Sequence, residues 1–122
     1  MLNAVTPLSQ HGYNSGGLRT ARDSEYDIFS RVTRLLRQAS PRGDNPDTIQ
    51  AVQKNTELWT LLAFDLAEPG NALPEETKAG LISLAGFAVR HGQAVMAGAA
   101  VTAPLIDINL SIMRGLRGEV GA

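Results

Sequence analysis

Three breaks rich in proline and glycine cut most of this chain into helix-length pieces, and that punctuation limits the fold more than any other feature. The breaks are Pro41-Arg42-Gly43-Asp44-Asn45-Pro46, then Glu68-Pro69-Gly70-Asn71-Ala72-Leu73-Pro74, then Gly98-Ala99-Ala100-Val101 followed by Thr102 and Pro104. Proline cannot continue a helix interior but suits a first turn. Asn45 before Pro46 is therefore a cap followed by a helix start, and Glu75-Glu76 after Pro74 place negative charge where the helix dipole favours it. Apolar residues between the breaks recur at helical spacing, without strand-like alternation or internal repeat. The expected fold is all-α, a small bundle of about four helices: from near Asp23 to Ser40, from Pro46 to Ala67, from Pro74 to Ala97, and from Ala103 to Gly115.

Each piece carries a stripe. On the first, Ile28, Phe29, Val32, Leu35, Leu36 and Ala39 share a face centred on Val32, with Asp27, Arg31, Arg34 and Gln38 opposite. On the second, Val52, Asn55, Leu62, Ala63 and Leu66 fall within about 60° of Trp59 at 100° per residue. Leu58, Leu61 and Phe64 fall outside that arc, so the second helix is apolar nearly all round in its later half. Such a helix is either central in a bundle or keeps a second face for another protein. The third stripe centres on Leu84 with Thr77, Leu81, Phe87, Ala88, His91 and Val95, and the fourth joins Leu105, Ile108, Ile112 and Leu116.

Three stripes each hold one polar residue: Asn55, His91 and Asn109. A buried polar side chain left unpaired costs about 1–3 kcal/mol, so these groups need partners in the fold or in a complex. They read as a buried polar network that fixes the register of the bundle, with a binding role as the other reading. A metal site is not expected, because His91 has no second ligand three or four positions away.

Catalytic signatures are missing. The chain has no phosphate-binding glycine loop with Lys-Ser/Thr, no Gly-x-Ser-x-Gly elbow and no His-Glu-x-x-His pair, so neither an enzyme nor a cofactor is expected. Eleven Lys+Arg against twelve Asp+Glu give a net charge of −1, which exerts no general pull on nucleic acid. Arg31, Arg34 and Arg37, with Arg19 and Arg22 upstream, form a basic strip interleaved with Asp23, Glu25 and Asp27, a pattern of a solvated helix face before one of RNA contact. The longest uncharged runs fall short of the roughly 18–20 residues that span a bilayer. Without a basic segment and apolar run at the N-terminus, the chain reads as carrying no signal peptide, and the lack of cysteine fits a reducing cytoplasm.

Residues 1–20, with Pro7, Gly12 and Gly16-Gly17, read as a flexible N-terminal arm, residues 21–117 as the helical domain, and residues 118–122 as a frayed tail. Candidates for a partner surface are Leu58, Leu61 and Phe64 on the second helix and Ile82 and Val89 on the third, with Trp59 between a core residue and a binding anchor. Large apolar groups beside the core stripe suit a groove that takes a partner helix, or self-association into a homodimer.

The order and spacing of several segments resemble the flagellar biosynthesis regulator FlaF family. They are Ser24-Glu25-Tyr26-Asp27-Ile28-Phe29-Ser30-Arg31-Val32-Thr33, Asn55 with Leu58-Trp59, Asp65-Leu66 with Asn71-Ala72-Leu73-Pro74, Leu81-Ile82-Ser83-Leu84, Val89-Arg90-His91 and Pro104-Leu105-Ile106-Asp107-Ile108-Asn109. The resemblance covers about Ser24 to Leu116. It implies a small cytoplasmic protein needed for flagellin to be made and secreted, acting with FlbT, which restrains translation of flagellin mRNA, and associating with flagellin itself. It supplies no catalytic residues. Two expectations follow: a flagellin-binding chaperone or export adaptor that covers an amphipathic flagellin helix in an apolar groove, or a post-transcriptional regulator acting through FlbT or flagellin mRNA.

Overall fold

A computed structural model of the chain describes residues 21–43, 45–116 and 118. The expected arm and most of the expected tail lie outside the described residues. Among the described residues four helices follow in order: α1 over Ala21–Gln38, α2 over Pro46–Ala67, α3 over Glu75–Met96 and α4 over Ala103–Leu116. No strand is present among the described residues; Arg42 and Val101 form one isolated antiparallel bridge.

The caps explain where the helices begin. Asn45 has extended backbone (φ −113°, ψ 133°) and its side chain accepts from the Asp47 N–H at 2.8 Å, so Pro46 enters at the first turn where no N–H is needed. Thr102 opens α4 through its carbonyl, which accepts from the Leu105 and Ile106 N–H groups. Between α2 and α3, Asn71 organises the turn: its Nδ2 donates to the Asp65 carbonyl at 3.2 Å and its Oδ1 accepts from the Leu73 N–H at 3.1 Å.

The helices pack as a ring. α2 lies against α1 and α3, and α4 lies against α1 and, more sparsely, α3. Short connections make neighbours in sequence antiparallel, so the α1–α2 and α3–α4 loops meet at one end. There the Thr102 N–H donates to the Pro41 carbonyl at 3.0 Å. Gly43 sits so close to the end of α3 that a Cβ would lie 2.0 Å from the Val95 carbonyl oxygen, which only glycine tolerates.

The core gathers Phe29, Leu36, Val52, Trp59, Leu62, Leu66, Val95 and Leu105. The Phe29 and Trp59 rings meet edge to face at 5.7 Å. Three of the expected stripes are rotated about the helix axis. On α1 the buried face holds Glu25, Phe29, Thr33 and Leu36, while Leu35 is 43% exposed. On α3 it holds Ala85, Ala88, Gly92 and Val95, while Phe87 is 36% exposed and Thr77 faces solvent. On α4 it holds Leu105, Asn109 and Met113, with Ile108 and Ile112 only half-buried. The cause on α3 is close approach: a Cβ at Gly92 would lie 3.1 Å from both Thr56 Oγ1 and Val52 Cγ1, so α3 buries Ala85, Ala88 and Gly92, small residues that permit it.

Candidate functional site: an apolar groove beside a polar core

At the centre, one line of hydrogen bonds runs from α2 to α4. The Trp59 Nε1–H donates to Asn109 Oδ1 at 2.9 Å, and Asn109 Nδ2 donates to Asn55 Oδ1 at 2.8 Å. All three residues are fully buried. The three side chains serve each other here, and only the Asn55 Nδ2 atom is left over without a partner. This arrangement fixes the axial position of α4 against α2, because a slip by one residue would break both bonds at once.

His91, expected beside the two asparagines, sits elsewhere. It is half-buried, stacks on Phe87 at 5.2 Å, and its Nε2 donates to the Val101 carbonyl at 2.8 Å. A carbonyl only accepts, so this nitrogen carries the proton. His91 therefore ties α3 to the loop that leads into α4. Among the described residues no group of three or more His, Cys, Asp or Glu is placed to hold a metal ion.

The outer face of the α2–α3 pair bears an open groove of about 520 Å³. Trp59 and Ala85 form its floor, Phe64 and Ile82 stand on opposite sides, and Val89 and Arg90 close one end. Small residues explain the recess: Ala63 and Ala67 on α2 and Ala85 and Gly86 on α3 leave room that larger side chains would fill. Phe64 is 68% exposed and Ile82 41%, so the fold covers neither side chain. The sequence-derived surface set divides here. Phe64, Ile82 and Val89 come together on the groove, Trp59 lies buried beneath it as a core residue, Leu61 is 64% exposed but stands outside it, and Leu58 is a core residue away from it. The expectation that Leu58 is a surface anchor is corrected, because α2 has neighbours on two sides and needs two buried faces.

Six of the lining residues lie outside the sequence-derived set, and two of these, Gly86 and Arg90, shape one end of the groove. Arg90 and Gly86 act together, since a Cβ at Gly86 would lie 3.1 Å from Arg90 Nη1, which places the guanidinium folded back one turn along α3. The spacing of a small residue four positions before an arginine is the available signal. A second recess, of about 230 Å³, lies between α3 and α4 against Leu81, Ile112 and Leu116. On α1, Arg31, Arg34 and Arg37 are exposed, with Asp27 in the same depression as Arg31 and Arg34. Arg19 and the side chain of Arg22 lie outside the described residues, and none of the described helices is long and apolar enough to cross a membrane.

Fold and site thus define a small helical protein whose described residues form four helices, with a polar-pinned core and uncovered apolar surface along one helix pair. The family model of the flagellar protein FlaF matches residues 9–116, and the chain belongs to the FlaF family. Its role is accordingly a flagellar one. No curated protein and no solved structure matches the chain.

Proposed function

We propose that this protein is a non-enzymatic, cytoplasmic flagellin-binding chaperone or export adaptor that covers an amphipathic flagellin helix in the α2–α3 groove. One observation supports this most: Phe64, Ile82 and Val89, all apolar, border a recess that Ala63, Ala67, Ala85 and Gly86 leave open on a helix pair that is otherwise tightly packed. An amphipathic helix presents apolar groups at positions i, i+3/i+4 and i+7, which suits a trough between two helices. Terminal helices that polymerise by coiled-coil packing need such cover before assembly.

The test is size-exclusion chromatography with light scattering on the protein mixed with RNA-free monomeric flagellin. A one-to-one complex is expected. Phe64→Asp and Ile82→Asp should each abolish it while the far-UV circular dichroism stays that of the parent. A complex that persists in both variants sinks the groove.

The other reading, a regulator that acts through FlbT or contacts flagellin mRNA through the arginines of α1, has weaker support. Asp27 shares their surface and offsets their charge. Charge reversal at Arg31 and Arg34 separates the two readings: RNA binding would weaken with a steep salt dependence, whereas a flagellin groove would not respond.

A further inference from the structure

We infer that the occupant of the α2–α3 groove is an amphipathic helix carrying an acidic side chain in the turn that flanks its apolar stripe, and that Arg90 reads this carboxylate. This rests on the groove reading above and adds a recognition rule to it.

Length comes first. α2 and α3 run antiparallel, so the Ala67 and Ile82 end of the groove lies opposite the Thr60 and Arg90 end. The eight steps from Ile82 to Arg90 span about 12 Å at a rise of 1.5 Å per residue. That length holds an apolar stripe of about two turns, anchored at i, i+3/i+4 and i+7, and no more. Whatever follows on the ligand meets the end of the groove.

At that end stands Arg90, the one charged residue among the described residues that line the groove. The described residues that line this end with it, Trp59, Thr60 and Val89, carry no carboxylate, and the exposed Glu57 stands one turn beyond Thr60 on α2 without an ion pair to Arg90. The guanidinium folds back over Gly86, where the missing Cβ lets Nη1 lie along the groove instead of pointing away from it. Arg90 makes no ion pair among the described residues, and on the same helix Glu75 is held by Lys78 three residues on. A guanidinium has five donors and no acceptor, so the complementary ligand group is an anion of planar, two-oxygen geometry. A carboxylate on the occupant helix is that group. Arg90 is itself exposed, so water screens the pair and its contribution is modest and sensitive to salt.

The experiment compares two acetylated and amidated helical peptides of about 18 residues, long enough to hold helix on binding. They share one leucine stripe and carry either Glu or Lys in the turns that flank it at both ends. Binding is read by fluorescence anisotropy at low and moderate salt. The Glu peptide should bind roughly tenfold tighter than the Lys peptide, with the preference shrinking as salt rises. Arg90→Ala should remove the preference, Arg90→Glu should reverse it, and Phe64→Asp should lose both peptides. Equal binding of the two peptides to the parent protein, or an undiminished preference in Arg90→Ala, overturns the inference while leaving the groove in place. Two other outcomes overturn it together with the groove reading. One is that neither peptide binds and Phe64→Asp still holds flagellin. The other is that light scattering shows a dimer which Phe64→Asp dissolves, making the occupant a second copy of the chain.

Discussion

The inside and the outside of the α2–α3 pair are built on opposite rules. Inside, where apolar packing is the usual choice, the centre of the bundle is Trp59, Asn109 and Asn55 joined through hydrogen bonds. Outside, where polar residues are the usual choice, Phe64 and Ile82 stand in solvent. The difference separates two uses of side chains. Directional bonds in the core select one alignment of the helices, because an unsatisfied buried group is costly. Non-directional apolar area on the surface has no task within the fold and is available to a partner.

That contrast can be broken most easily at Trp59. Its indole fills the core and donates the first bond of the line, so Trp59→Ala should cost about 3–5 kcal/mol in urea unfolding followed by circular dichroism. A loss near that of a surface change would show that the interior is not organised around it. Asn109→Ala comes next, at roughly 2–3 kcal/mol, since it strands both the Trp59 N–H and the Asn55 oxygen. Asn55→Ala should cost clearly less than Asn109→Ala, as it strands only Asn109 Nδ2 and removes an Nδ2 that has no partner of its own. If the two cost the same, the line is not the unit that holds the register.

Glycines sharpen the comparison at smaller scale. Gly43→Ala forces a Cβ against the Val95 carbonyl and should destabilise by about 1–3 kcal/mol. Gly80, helical and with nothing near its missing Cβ, should respond in the other direction, gaining about 0.5–1 kcal/mol as alanine. The smallest effect belongs to the groove. Phe64→Asp should leave the unfolding free energy within about 0.5 kcal/mol of the parent, because a mostly exposed side chain contributes little to folding. A large loss there would mean that Phe64 serves the fold and not a partner.

Much of this architecture is legible in the amino-acid order alone. The breaks at Pro41–Pro46 and Glu68–Pro74 are where the chain turns, and α2 begins and ends where proline and the periodicity place it. Those features are local: a missing N–H or a capping oxygen acts on its own few residues. The rotation of α1, α3 and α4 is not legible in the same way. Leu35 and Phe87 weigh heavily in any hydropathy stripe, yet both face outward, while Thr33 and Gly92 face inward. The groove is legible in part. Phe64, Ile82 and Val89 stand off their stripes in the sequence, but nothing local distinguishes them from Leu58, which a second helical neighbour covers.

The sequence by itself determined the four helices of the described residues, where they break and the surplus of apolar side chains beyond one stripe, because turn chemistry and 3.6-residue periodicity are properties of short segments. Tertiary structure decided which way each helix faces. Packing distance depends on the pair of surfaces in contact, and α3 turns Ala85, Ala88 and Gly92 inward because small residues allow the approach. That rotation carries Ile82, Val89 and Arg90 to the same outer edge as Phe64, on residues that lie far apart along the chain.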